Sequence, residues 1–180
     1  MEIKDSHIAI LAGSTLAIVG AAYFLRKKKI RNYYGGNELL TDPKITQGIR
    51  NNNPLNVVRT KTLWANEIPI EKSTNKRFKQ FYTFIDGIVA AIVNLRFYSK
   101  AGFNTIEKII YKWAPPSDGN TPENYINHIV SETKIKRNEI IDVKDKNTMF
   151  LLIKTMSKHE SGTKHLITEK MFDKAWREAK

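Results

Sequence analysis

Glu160, in the run His159-Glu160-Ser161-Gly162, is the carboxylate of this sequence best suited to acid chemistry. Met149, Leu152, Ile153 and Met156 recur at helical spacing before it and Asp145 fits a cap, so the pattern predicts a helix that runs into Glu160. A carboxyl at the C-terminal end of a helix meets the negative end of the macrodipole, and partly apolar surroundings disfavour its charged form further. Such a group can protonate a leaving oxygen, which is what cleavage of a glycosidic bond requires. The competing reading is an exposed glutamate in a helix-terminating turn.

A second constellation is the run Gly48-Ile49-Arg50-Asn51-Asn52-Asn53-Pro54-Leu55-Asn56. No packing rule places Asn51, Asn52, Asn53 and Asn56 around one proline. Each amide offers both a donor and an acceptor, so the cluster can either shape an ordered loop through Asx turns or grip the amide and hydroxyl groups of a sugar.

The elements that would position these residues are mostly helical. Gly87 to Tyr98 sets Ile88, Ile92 and Leu95 on one face, and Thr105 fits the cap of a helix carrying Ile106, Ile109, Ile110 and Trp113, which Pro115-Pro116 ends. Thr121-Pro122-Glu123 opens another helix lined by Tyr125, Ile126, Ile129 and Val130, and Thr168 opens a last one with Met171, Phe172, Ala175 and Trp176. Val57-Val58 with Trp64 to Ile70 reads as a short hairpin, and Phe78 to Phe84 as another strand-like piece.

Taken in order, the motifs Gly-Ile-Arg-Asn-Asn-Asn-Pro-x-Asn at 48–56, Phe-x-x-Phe at 78–84, Gly-Ile-x-Ala at 87–90, Asn-Thr-Ile through Trp113-Ala114-Pro115-Pro116, Asn120-Thr121 and Tyr125-Ile126 resemble a family of phage and prophage virion-associated, lysozyme-like domains. The resemblance covers residues 47 to 179, and Glu-Ser-Gly at a helix end is similar to the catalytic glutamate motif of goose-type lysozymes and lytic transglycosylases. In those enzymes the glutamate comes early in the chain, whereas here it comes late. The place after Gly87-Ile88 where the family carries Arg holds Val89. The fold the resemblance implies is mostly α within an α+β, lysozyme-like class, with a small β-hairpin element. The activity it implies is cleavage of peptidoglycan glycan strands, with Glu160 as acid and base, Asn51, Asn52, Asn53 and Asn56 positioning the glycan, Tyr125 at the cleavage point and Trp64 or Trp113 stacking on a sugar. The helical phase of Trp113 with Ile109 and Ile110 favours the core for that ring.

A transglycosylase needs one glutamate, because the C6 hydroxyl of the substrate attacks its own anomeric carbon, whereas a hydrolase needs a second carboxylate. Asp86 is the candidate second carboxylate and reads equally well as a helix cap. Glu38, Glu67 and Glu71 have no motif around them. The missing partner favours the transglycosylase. The alternative is a non-catalytic structural protein of a membrane-containing phage.

Ile8 to Leu25 is an apolar run ended by Arg26-Lys27-Lys28-Lys29, and a membrane-spanning helix needs about 17–25 such residues. Its charge follows the apolar stretch, the reverse of a secretory signal, and places the basic flank on the cytoplasmic side. The expected organisation is an N-terminal membrane anchor at 1–31, a linker at 32–46 and a peptidoglycan-cleaving domain at 47–180. The expected location is the virion, in the viral membrane with the domain on the capsid side, and the host inner membrane before assembly. Expected partners are peptidoglycan, membrane and capsid proteins.

The 180 residues carry a net charge of +12, which favours anionic partners, but no nucleic-acid-binding signature is present. The absence of cysteine excludes disulfides, thiolate nucleophiles and zinc-thiolate sites. His159 and His165 stand six apart, unlike the one-turn spacing of a zinc peptidase, and neither a nucleophile elbow nor a phosphate-binding glycine loop occurs. No metal or cofactor is expected.

Overall fold

A computed structural model of the protein describes residues 29–36, 38–164 and 167–179. Among the described residues six α-helices form: α1 (Gln47–Arg50), α2 (Phe84–Lys100), α3 (Ile106–Trp113), α4 (Pro122–Thr133), α5 (Lys146–Ser161) and α6 (Glu169–Glu178).

Side-chain oxygens start most of the long helices. Thr83 and Asp86 make a reciprocal capping box at α2, while Thr105, Asp145 and Thr168 accept from backbone N–H groups of the first turns of α3, α5 and α6. Each such cap is worth about 0.5–2 kcal/mol because it satisfies donors the helix cannot. α4 starts instead with Pro122 in its first turn, where the missing N–H costs nothing.

The buried faces meet in one core. Ile88, Ile92 and Leu95 of α2, Ile109 and Ile110 of α3, Ile126 and Ile129 of α4, Leu152 and Ile153 of α5 and Phe172 of α6 are all almost completely excluded from solvent. α5 sits at the centre of the arrangement and touches α1, α2, α4 and α6.

One expectation is corrected here, and another falls outside the described residues. The α+β, lysozyme-like class with a β-hairpin is not what the chain adopts, because among the described residues there is no strand. Residues 57–82 hold only the isolated antiparallel bridges Val58 to Phe78 and Glu67 to Phe81. Asn66 takes a left-handed backbone (φ 59°), and Pro69 has no N–H, so no ladder can extend past either. Side chains take up the backbone instead: the Arg59 guanidinium donates to the carbonyls of Ile68, Asn75 and Phe78. The expected membrane-spanning helix at 8–25 lies outside the described residues. Among the described residues no helix is long and apolar enough to cross a membrane.

The stretch expected as a linker packs on the domain. Asn32 Oδ1 accepts from the N–H groups of Tyr34 and Gly36, Tyr33 meets Phe84 edge-on, and Leu40 and Ile45 lie against the core.

Candidate active site

The last turn of α5 carries Glu160, and three hydrogen bonds fix that turn to the N-cap of α1 and to the loop that follows it. Ser161 Oγ donates to the Pro54 carbonyl at 2.9 Å, and Thr46 Oγ1 donates to the Ser161 carbonyl at 3.0 Å. Gly48 lies so close that a Cβ there would collide with Ser161 Oγ. The third contact is chemical: Asn56 Nδ2 donates to Glu160 Oε2 at 3.0 Å.

Asn56 holds a left-handed backbone (φ 51°), as does Asn52 (φ 52°), and Asn is the non-glycine residue that accepts this conformation most readily. The loop therefore needs asparagines for its path as well as for their amides.

Glu160 opens into a cleft of about 210 Å³ lined by Ala114, Asn120, Thr121, Tyr125 and His159 besides itself. The Tyr125 hydroxyl donates to the Met156 carbonyl at 3.4 Å and lies close enough to the same carboxyl to favour its charged form. Burial pushes the Glu160 carboxyl above the ordinary carboxylate value, and the hydrogen bonds from Asn56 and Tyr125 offset that only in part. The Tyr125 phenol is raised well above its ordinary value, first by burial and then by the carboxylate beside it. The phenol therefore keeps its proton at all ordinary pH, and Glu160 is the one of the two that gains and loses a proton.

The His159 ring stacks on Tyr125 with centroids 3.8 Å apart and has His128 at 5.5 Å. Burial and the His128 charge hold its imidazole below the ordinary histidine value. It thus faces the cleft as a neutral ring near pH 7. Among the described residues no cluster of histidine and acidic side chains is arranged to hold a metal, and His165 lies outside them.

The structure separates the other expected site residues. Asn51, Asn52 and Asn53 are buried and serve the loop: Asn51 Oδ1 accepts from Gln80 Nε2, Asn52 Nδ2 donates to the carbonyls of Arg31 and Phe81, and Asn53 Nδ2 donates to those of Val57 and Lys79. Asn56 alone of the four reaches Glu160. Asp86 accepts from the N–H and hydroxyl of Thr83 and from Asn66 Nδ2. Glu67 is held by Arg59 and by the fully buried Lys79, each at 2.6 Å. Neither carboxylate lines the cleft, where Glu160 is the acidic residue among the described residues.

Trp64 lies elsewhere, in a separate pocket with Val57, Phe97 and Tyr98. Trp113 donates its indole N–H to the Leu55 carbonyl at 3.2 Å, a structural bond across the back of the Asn loop. Sequence reasoning missed the stacking of His159 on Tyr125 and the salt-bridged Lys79. The first had a signal, since His159 is adjacent to Glu160 and Tyr125 had been singled out. A fully buried lysine among aromatic residues has none.

No family model matches the chain. Over 97 residues, 52% of this chain, it is 39% identical to Protein P5 of Pseudoalteromonas phage PM2. The similarity is to a bacteriophage protein. The aligned region spans 59% of that protein's length.

Proposed function

We propose that this phage protein cleaves the glycan strands of bacterial peptidoglycan, acting as a lytic transglycosylase with Glu160 as its single acid and base. The observation that carries the reading is the Glu160 carboxyl itself, kept prone to protonation by burial while Asn56 and Tyr125 fix its orientation in a cleft with no second carboxylate among the described residues.

In the first half of the reaction the Glu160 proton passes to the glycosidic oxygen as the bond from that oxygen to the anomeric carbon breaks. In the second, the C6 hydroxyl of the same sugar attacks the anomeric carbon and gives its proton to the Glu160 carboxylate, which restores the acid. The Asn56 amide and the Tyr125 hydroxyl stabilise the carboxylate between the two halves. The products are a free 4-hydroxyl and a 1,6-anhydro end.

A second reading is favoured by two observations. The phage relative carries no enzymatic name, and the burial of Asn51, Asn52 and Asn53 leaves the cleft with few groups to hold a sugar. On that reading the chain is a structural, membrane- or capsid-associated protein of a membrane-containing phage, and its cleft has no turnover.

The deciding experiment is mass spectrometry of the soluble products released from purified peptidoglycan by the wild type and by Glu160→Gln. Anhydro ends that vanish in the variant support the transglycosylase. Reducing ends point to a hydrolase with another carboxylate, and no release by either protein favours the structural reading.

A further inference from the structure

A small polar pocket of about 240 Å³ opens beside α1, with Gln47, Arg50, Asn51, Thr74 and Asn75 among its walls. It shares no residue with the lining of the Glu160 cleft. Its volume lies below the range of about 300–1,000 Å³ usual for whole small molecules and suits one chemical group of a ligand. No acidic side chain lines it.

A chain of hydrogen bonds decides which groups this pocket offers. The Thr74 N–H donates to one end of the Gln80 amide at 2.8 Å, and since an N–H cannot accept, that end is the oxygen Oε1. Gln80 Nε2 then donates to Thr74 Oγ1 at 2.6 Å and to Asn51 Oδ1 at 2.8 Å. Asn51, only 3% exposed, is left with Nδ2, a buried amide donor that has no hydrogen-bond partner. Such a group costs free energy until something accepts from it. Asn75 is turned the same way: its Oδ1 accepts from the N–H groups of Arg77 and Phe78, which leaves its Nδ2 to donate.

The charge of the pocket comes from Arg50. Its side chain is half-buried, and among the described residues no carboxylate pairs with it. Asp42, the acid beside the lining residue Thr41, turns Oδ1 to the Lys44 N–H at 2.9 Å. We propose that this pocket binds the carboxylate or phosphate group of an anionic ligand, with Arg50 supplying the charge and Asn51 and Asn75 the neutral donors. The planar guanidinium fork matches the oxygens of either group. Only an acceptor answers Asn51 Nδ2, and only an anion compensates Arg50. A cation would meet a like charge and two amide donors, and a neutral sugar hydroxyl would leave the guanidinium unpaired. None of these residues belongs to the Glu160 cleft, so the two sites stand or fall separately.

The test is titration of the full chain with inorganic phosphate and, separately, with acetate, at pH 7 and at ionic strength held constant with sodium chloride, read from the side-chain amide signals of Asn51 in proton–nitrogen NMR spectra. A saturable shift is expected, with a Kd on the order of a millimolar, the strength of a few charge-assisted bonds. Arg50→Gln is expected to weaken it about tenfold. Asn75→Asp keeps the oxygen that the Arg77 and Phe78 N–H groups donate to and exchanges the donor for a charged oxygen, so saturation is expected to disappear with the fold intact. Lys144→Gln removes the same unit charge at an exposed position outside the pocket and is expected to change nothing.

Saturation by either anion, lost in Asn75→Asp, supports the site, and the tighter of the two says whether a tetrahedral phosphate or a planar carboxylate group belongs there. If Arg50→Gln fails to fold, the Asn75→Asp comparison decides. The proposal is overturned if neither anion shifts the Asn51 amide saturably. It is also overturned if the shift persists undiminished in Asn75→Asp, or weakens equally in Lys144→Gln, either of which makes the bound species an adventitious ion only.

Discussion

Asn56 reaches across 104 residues of chain to donate its amide to Glu160 at 3.0 Å. It does so from a backbone conformation that most residues avoid, so the pairing depends on a loop built to present it.

Asn56→Gly keeps the left-handed backbone and removes the donor. Because the Asn56 bond lowers the Glu160 pKa, its loss raises that pKa further. A general acid loses activity as pH rises through its pKa, so the falling alkaline side of the rate profile moves to higher pH in the variant. The rate at the optimum falls by about tenfold, from lost orientation. A profile of anhydro-product release against pH checks both.

Glu160→Gln stabilises the fold near neutral pH. The folded-state pKa of Glu160 lies above its unfolded value, so the native carboxylate is penalised once pH rises above the ordinary carboxylate range. Below that range the group is protonated in both states and the penalty is absent. The variant therefore melts a few degrees higher than wild type at pH 7, and the gap closes as pH falls through about 4. Calorimetry at the two pH values reads this directly, and a gap that widens in acid contradicts the assignment.

Glu67→Gln costs more stability than Lys79→Met. Removing the Glu67 charge leaves the Lys79 ammonium with no exposure and no anion, for a loss of about 3–5 kcal/mol. Removing Lys79 leaves Glu67 still paired with Arg59 at 2.6 Å and takes out a buried charge at the same time. Urea unfolding of the two single variants and the double variant orders the costs.

Gly87→Ala unseats α2 from the Asn loop. A Cβ at Gly87 collides with the Asn52 carbonyl oxygen, a backbone atom that cannot rotate away. The overpacking costs about 1–3 kcal/mol and shifts the loop that carries Asn56. Unfolding midpoints and product release should therefore both drop.

How far the sequence shows this architecture depends on the residue. The starts of α3, α5 and α6 are legible because Thr105, Asp145 and Thr168 cap locally, within three residues of the N–H groups they satisfy. The start of α2 is less so. Asp86 reads as its cap, yet the cap is Thr83 and Asp86 completes the box from inside the helix.

The hairpin expected from Val57-Val58 with Trp64 to Ile70 does not form; both stretches instead make single bridges to the strand-like piece at 78–84, cut short by Asn66, Pro69 and the reach of Arg59. The Asn cluster misleads in a related way. Amides that suit a sugar suit backbone carbonyls equally well, and only long-range contacts decide which they meet. Glu160 is legible because its helix and its helix end are both local features.

The bonds from Ser161 to Pro54 and from Thr46 to Ser161 join positions 107 and 115 residues apart. Contacts of that separation form late, after the intervening helices have closed the loop between them. A nascent or truncated chain thus holds the carboxylate, the amide and the phenol as three ordinary solvated groups. Whatever acid strength Glu160 has arises with the finished fold, so on the proposed reading the chemistry is silent throughout synthesis and switches on with folding itself.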